Sequence, residues 1–82
     1  MNIRKREKTK AKLLKAVRLI IARGENASVT SITKKANLAY GTFYRYFDDL
    51  NEIYYEAIEE MLFDRAAELE RELKNIYPAP LR

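Results

Sequence analysis

From residue 28 to residue 47 the chain reads Ser-Val-Thr-Ser-Ile-Thr-Lys-Lys-Ala-Asn-Leu-Ala-Tyr-Gly-Thr-Phe-Tyr-Arg-Tyr-Phe, two short segments hinged at one asparagine. Ile32 and Ala36 are four apart, as are Phe43 and Phe47, so each pair lies on one face of its own helix. Ala36 is small enough for a second helix to cross closely, and Leu38 faces inward from the turn. Asn37 stands where the chain reverses, and asparagine is the non-glycine residue that best tolerates the left-handed conformation of a helix end. The outward residues of the second segment are Tyr40, Gly41, Thr42, Tyr44, Arg45 and Tyr46. They present hydroxyls, one guanidinium and bare backbone in place of the Glu/Lys mixture of a solvated helix. Such a pair of helices is either a packed corner of an ordinary bundle or a helix-turn-helix whose second helix reads DNA.

The distribution of charge favours the second alternative. Net charge is +4, yet residues 1–46 hold 12 Lys/Arg against 2 Asp/Glu, while residues 47–82 hold 4 against 10. The basic half carries the aromatic helix and is drawn toward polyphosphate, whereas the acidic half is held away from it. Eighty-two residues without Cys or His make one domain with no disulfide framework and no thiolate or imidazole metal ligands. The commonest general base is missing too. The paired carboxylates Asp48/Asp49 and Glu59/Glu60 read as a helix cap and a solvated face, with no nucleophile–base set beside them, so neither an enzyme nor a cofactor or metal is expected. The basic N-terminus is not followed by an uninterrupted apolar run, so no signal peptide or membrane span is expected and the place of action is cytoplasmic, at the nucleoid.

Taken in order, residues 1–9 form a basic arm with Arg4, Lys5, Arg6 and Lys8, expected to fray in isolation and to lie along phosphates or enter a minor groove. A solubilising tail is the plainer alternative. A first helix is expected from Thr9 to Arg23, with Leu13, Val17, Ile20 and Ile21 recurring at helical spacing and Lys10, Lys12, Lys15 and Arg18 opposite. Gly24 suits its C-terminus. Ser28 is a natural N-cap, accepting from the backbone N–H of Thr30 or Ser31, and the helix it opens presents N–H groups that can hold a phosphate oxygen. Ala39 cannot cap as serine would, and Gly41 is a poor helix residue, so the reading helix over 40–46 is loosely fixed at its start. Gly41 suggests close backbone approach to a ligand.

Asp49 as N-cap with Glu52 three residues on resembles a capping box. The helix it starts is expected to run from Leu50 to about Ile76 and to stop before Pro78 and Pro80. Its early half is expected to bury Leu50, Ile53, Tyr54, Ala57, Ile58 and Met61. Beyond them Leu62, Ala66, Leu69, Leu73 and Ile76 follow at 4, 3, 4, 3 spacing, a heptad-like seam. About 27 residues at 1.5 Å each give a rod of about 40 Å, too long for three shorter helices to cover. The seam is therefore expected to meet another copy of the chain or a further domain. The fold class is all-α: a three-helix, homeodomain-like helix-turn-helix bundle followed by one long fourth helix. The expected division is an arm over 1–9, a helix-turn-helix domain over 10–47, the long helix over 48–77 and a tail over 78–82.

The run Gly41, Thr42, Phe43, Tyr44, Arg45, Tyr46, Phe47 resembles the signature G-T-L/F-Y-x-Y/H-F of the tetracycline-repressor (TetR) family of transcriptional regulators. Upstream, Ser28, Val29 and Ile32 followed by Ala36, Asn37 and Leu38 are similar to that family's T-S/T-V-x-x-I-A-x-x-A-G-V pattern. The similarity spans roughly residues 10–60. It implies a homodimer on a palindromic operator, one recognition helix in each major groove. By the family pattern, Ser28 and Thr30 touch backbone and base edges, Tyr40, Gly41 and Thr42 meet bases and phosphates, and Tyr44 and Tyr46 hydrogen-bond phosphates. Arg45 joins them on charge alone.

Asn37 stands where the family has a turn glycine, Ala39 where it has a capping serine, and Leu50 where it commonly has a phosphate-binding lysine. The family's C-terminal helical domain, which binds a small effector and dimerises, has no counterpart among these residues, so no effector is expected within this chain. The expected function is sequence-specific binding of double-stranded DNA as a transcriptional regulator, with repression the expected sense. The competing expectation is a helical interaction module that docks a partner through the 62–76 seam and never touches DNA.

Overall fold

A computed structural model describes residues 3–76. Among them the chain forms helix α1 over Ile3–Ala22, α2 over Val29–Ala36, a 3₁₀ turn over Tyr40–Thr42 that runs into α3 over Phe43–Tyr46, and α4 over Leu50–Ile76. The all-α expectation of a helix-turn-helix bundle followed by one long helix is met. No helix among the described residues is long and apolar enough to cross a membrane. The helix stop expected at Pro78 and Pro80, and the tail, lie outside the described residues.

One core joins all four helices. Leu13, Leu14, Ala16, Val17 and Ile20 supply it from α1, Ile32 from α2, Phe43 and Phe47 from the recognition segment, and Ile53 and Ala57 from α4. The aromatic rings of Phe43 and Phe47 sit 5.6 Å apart inside it, so the recognition segment is anchored by two large side chains one turn apart. Thr33 is buried as well, and its Oγ1 donates to the Val29 carbonyl oxygen at 2.8 Å.

Both turns close by the same hydrogen-bond pattern. At the end of α1, Glu25 N–H reaches the Ile20 carbonyl and Gly24 N–H the Ile21 carbonyl, with Gly24 at φ 70°. At the end of α2, Leu38 N–H reaches the Thr33 carbonyl and Asn37 N–H the Lys34 carbonyl, with Asn37 at φ 59°. These are two Schellman motifs, one built on glycine and one on asparagine. A Cβ in the left-handed region costs about 1–2 kcal/mol unless a short polar side chain offsets it. Asn37→Ala is therefore expected to lower stability by about 1 kcal/mol and Asn37→Gly to leave it equal or higher; urea denaturation followed by circular dichroism measures both.

The cap at α2 is stronger than expected. Ser28 Oγ accepts from Ser31 N–H at 3.0 Å, and Ser31 Oγ accepts from Ser28 N–H at 2.8 Å, a reciprocal box in which serine replaces the usual Glu or Gln. At α4, Asp49 Oδ1 accepts from Glu52 N–H at 3.0 Å, but Glu52 Oε2 takes the N–H of Asp48, one residue before the cap.

Four expectations need correction. The basic arm is no frayed tail over residues 3–9; those residues are the first turns of α1. Nothing between Ile3 and Ala22 breaks a helix, the Lys, Arg and Glu side chains favour one, and Thr9 Oγ1 bonds back to the Lys5 carbonyl at 3.0 Å. The reading helix over 40–46 is not uniform: without a cap at Ala39 its first half is a 3₁₀ turn, closed by Thr42 N–H to the Ala39 carbonyl. Ile58 is 46% exposed rather than buried, because it lies on the side of α4 turned from Ala57. Leu50, Tyr54 and Met61 are half-buried.

Candidate nucleic-acid interface

The recognition segment lies between two helix starts. On one side, Thr42, Arg45 and Tyr46 face Lys5, Arg6 and Thr9 of α1 across an open cleft of about 620 Å³, floored by Leu38. On the other, Tyr44 shares a shallow depression with Val29, at the start of α2, with Asp48 and Asp49, and with Leu50 and Asn51 of α4. The recognition segment thus borders the early residues of α1 on one side and the N-terminus of α2 on the other.

Tyr40 and Tyr44 stand on the exposed face of that segment at 54% and 51% exposure, their ring centroids 5.9 Å apart and tilted by 58°. Tyr44 also meets the buried Phe43 ring edge-on at 5.1 Å. An exposed pair of rings supported from below by a core ring is held in position without being covered. A side-chain hydrogen bond with Tyr40 raises the Tyr44 phenol above its usual value, with slight desolvation and the charge of Tyr40 adding to the shift. Tyr44 therefore keeps its proton and presents a hydroxyl throughout the neutral range.

The residues singled out in the sequence are not all equivalent. Arg4, Lys5 and Arg6 are exposed on the first turns of α1, and Ser28 and Thr30 are exposed at the start of α2. Ser28 spends its hydroxyl and its N–H on the box with Ser31. Gly41 is exposed, and a Cβ there would meet nothing within 4 Å. The protein's own packing therefore gives no reason for that glycine. Thr42 is half-buried and Arg45 exposed at the cleft. Tyr46, expected to stand outward with Tyr40 and Tyr44, is half-buried against the core.

The roles of four residues escaped the sequence reading. Thr9 and Leu38 line the basic cleft. Tyr54, expected only to fill space, accepts the Ala27 N–H on its hydroxyl at 3.1 Å, so α4 fixes the loop that leads into α2. Lys10 lies 5.5 Å above the Phe47 ring and pairs with Glu56 at 3.1 Å, which ties α1 to α4 beneath the face. Only the cationic spacing of Lys10 was visible beforehand; the partners come from distant parts of the chain.

No group of three or more His, Cys, Asp or Glu side chains able to hold a metal occurs among the described residues. What the face offers is cation, hydroxyl and exposed backbone arranged around a short helix, with an acidic helix behind it. Those are the parts of a helix-turn-helix DNA-binding domain.

Residues 9–57 match the family model of the bacterial regulatory proteins of the tetR family, and the chain belongs to that family. It is accordingly a DNA-binding transcriptional regulator and not an enzyme. Neither the curated proteins nor the solved structures compared with it gave a match. Family membership removes the alternative of an interaction module that never touches DNA.

Proposed function

We propose that the chain is a repressor that binds a palindromic operator as a homodimer, with the segment over 40–46 of each copy in a major groove. The observation that carries this is the exposed Tyr40–Tyr44 pair set beside the cleft of Lys5, Arg6 and Arg45. Rings half exposed at the tip of a domain, next to cations, are placed to meet something both polar and anionic. Arg4, Lys5, Arg6 and Arg45 neutralise phosphates and set affinity. Ser28 and Thr30 approach the backbone from the start of α2. Tyr40, Thr42 and the bare backbone of Gly41 meet base edges and thymine methyls, and Tyr44 and Tyr46 hydrogen-bond phosphates. The long helix presents Leu62, Ala66, Leu69, Leu73 and Ile76 to the second copy. Such a protein acts in the cytoplasm, on the nucleoid.

The division of labour between the tyrosines is testable. Phosphate contacts position a protein, whereas base contacts specify a sequence. Tyr44→Ala is therefore expected to weaken binding to all duplexes alike, by roughly tenfold for the hydrogen bond to a charged group lost in each copy and so about a hundredfold for the dimer. Tyr40→Ala is expected to flatten the preference between selected and random duplexes as well. Fluorescence anisotropy on both duplexes measures the two effects. Parent-like affinity in both variants would remove the recognition segment from the proposal.

A further inference from the structure

The apolar seam of α4 begins earlier than the end of the bundle and on a different side. Ile53 and Ala57 are buried toward the core, and Glu56, Glu60 and Asp64 reach Lys10 and Arg18 of α1. At about 100° per residue the opposite side of the helix is reached at Tyr55, Ile58 and Leu62, exposed by 73%, 46% and 65%. Tyr55, Leu62, Leu69 and Ile76 recur every seventh residue along that side, and Ile58, Ala66 and Leu73 fill the gaps between them. The seam thus covers the length of α4 and turns its back on the bundle.

The geometry points to a second copy of this chain as the occupant, with the two α4 helices in a parallel coiled coil from Tyr55 to Ile76. This rests on the dimeric reading above and gives that dimer an interface, a register and an orientation. A seven-residue repeat is what two helices wound about each other require, and a lone helix packed on a globular domain does not need one. From Leu62 on, the alternating 4 and 3 spacing holds without interruption. Two consecutive 4-residue steps, from Ile58 to Leu62 and from Leu62 to Ala66, make a stutter that puts Ile58 in the seam in place of Glu59. Covering these side chains on two copies removes on the order of 1,000 Å² from water, the size at which protein interfaces become specific.

Charge sets the orientation. Arg65 and Glu70 lie on opposite flanks of the seam, five residues apart, which is the separation at which flanking residues of parallel strands meet. Each Arg65 then faces Glu70 of the second copy, twice by symmetry. In one copy alone Arg65 turns to Glu68 at 3.1 Å and Glu70 to Lys74 at 3.5 Å, all exposed and readily exchanged. An antiparallel pairing sets Glu70 against Glu56, Phe63 or Glu70 of the second copy, none of them cationic. The parallel coil also brings both recognition segments to one end, on opposite flanks of the rod, as two half-sites of one duplex require.

Sedimentation equilibrium of the whole chain at tens of micromolar is expected to give twice the 9.7 kDa of one copy. Leu62→Glu should weaken that association at least tenfold without changing the far-ultraviolet circular dichroism, since Leu62 is exposed in a single copy. The chain has no cysteine, so Leu69→Cys introduces one thiol. In a parallel coil like faces like, and mild oxidation should join two Leu69→Cys chains. A monomer at these concentrations, a dimer indifferent to Leu62→Glu, or cross-linking only in a mixture of Leu69→Cys and Ala66→Cys chains would overturn the proposal. A monomer that still binds duplex DNA would leave the DNA reading standing, and an intact dimer that binds no DNA would do the reverse.

Discussion

Phe43→Ala is expected to remove about 3–5 kcal/mol of stability, enough to unfold much of a small domain whose whole margin is about 5–15 kcal/mol. Phe43 has no exposed surface and is the only side chain of α3 in the core. It touches Phe47 on one side and Tyr44 on the other. Its loss opens a cavity at the centre of the bundle and frees the one turn of helix that carries Tyr44 and Arg45. Those four residues cannot hold a helix by themselves, since isolated helices need roughly 12–15 residues in water. Urea denaturation of the variant should show the transition shifted to low denaturant or lost. A change under about 1 kcal/mol would mean that the core is not centred on this ring.

Raising salt from roughly 50 to 200 mM is expected to weaken duplex binding by about 10⁴-fold if the proposed dimer meets about eight phosphates, for a slope near −0.9 per phosphate neutralised. Arg4, Lys5, Arg6 and Arg45 of each copy are the cations in question. Arg45 is the most informative, because it alone lies on the recognition segment, across the cleft from Lys5 and Arg6. Arg45→Ala removes two contacts per dimer and should make the log–log slope shallower by about 1.8. An unchanged slope would place Arg45 off the phosphates. By contrast the ion pairs of Arg18 with Glu60 and Asp64 are over one-third exposed, so their loss should change stability by less than about 1 kcal/mol and leave the slope alone.

The bounds of α2 and the start of α4 were legible because the chain punctuates them. Ser28 and Asp49 cap the starts, and Asn37 takes the one left-handed conformation the turn needs. The start of α1 carries no such mark: charged residues with high helix propensity continue back to Ile3, and length of helix was mistaken for an arm. The 3₁₀ opening of the recognition segment was also hidden. A weak cap and a glycine put two helical geometries close in energy, and only the packing of Phe43 and Phe47 chooses between them.

Among the site residues, Tyr40 and Tyr44 could be placed outward from spacing alone. Tyr46 could not, since whether a ring three residues beyond Phe43 packs or projects depends on how α1 crosses above it. The bond from Ala27 to Tyr54 joins residues 27 apart in the chain, and local pattern says nothing about such a pair. Ile58 was misplaced for a related reason. One helix carries two apolar stripes, and periodicity within the early half did not separate the inner from the outer.

DNA is expected to meet the surface formed by the first turns of α1, the start of α2 and the 40–46 segment. Amide chemical-shift mapping of the labelled chain, titrated with a duplex enriched from a random pool, tests it residue by residue. Perturbations should concentrate at 4–9, 28–30 and 40–46, with the buried amides of Ile53 and Ala57 and the far half of α4 scarcely moved by direct contact. Shifts confined to α4 from Tyr55 to Ile76, with the tyrosine face silent, would contradict it.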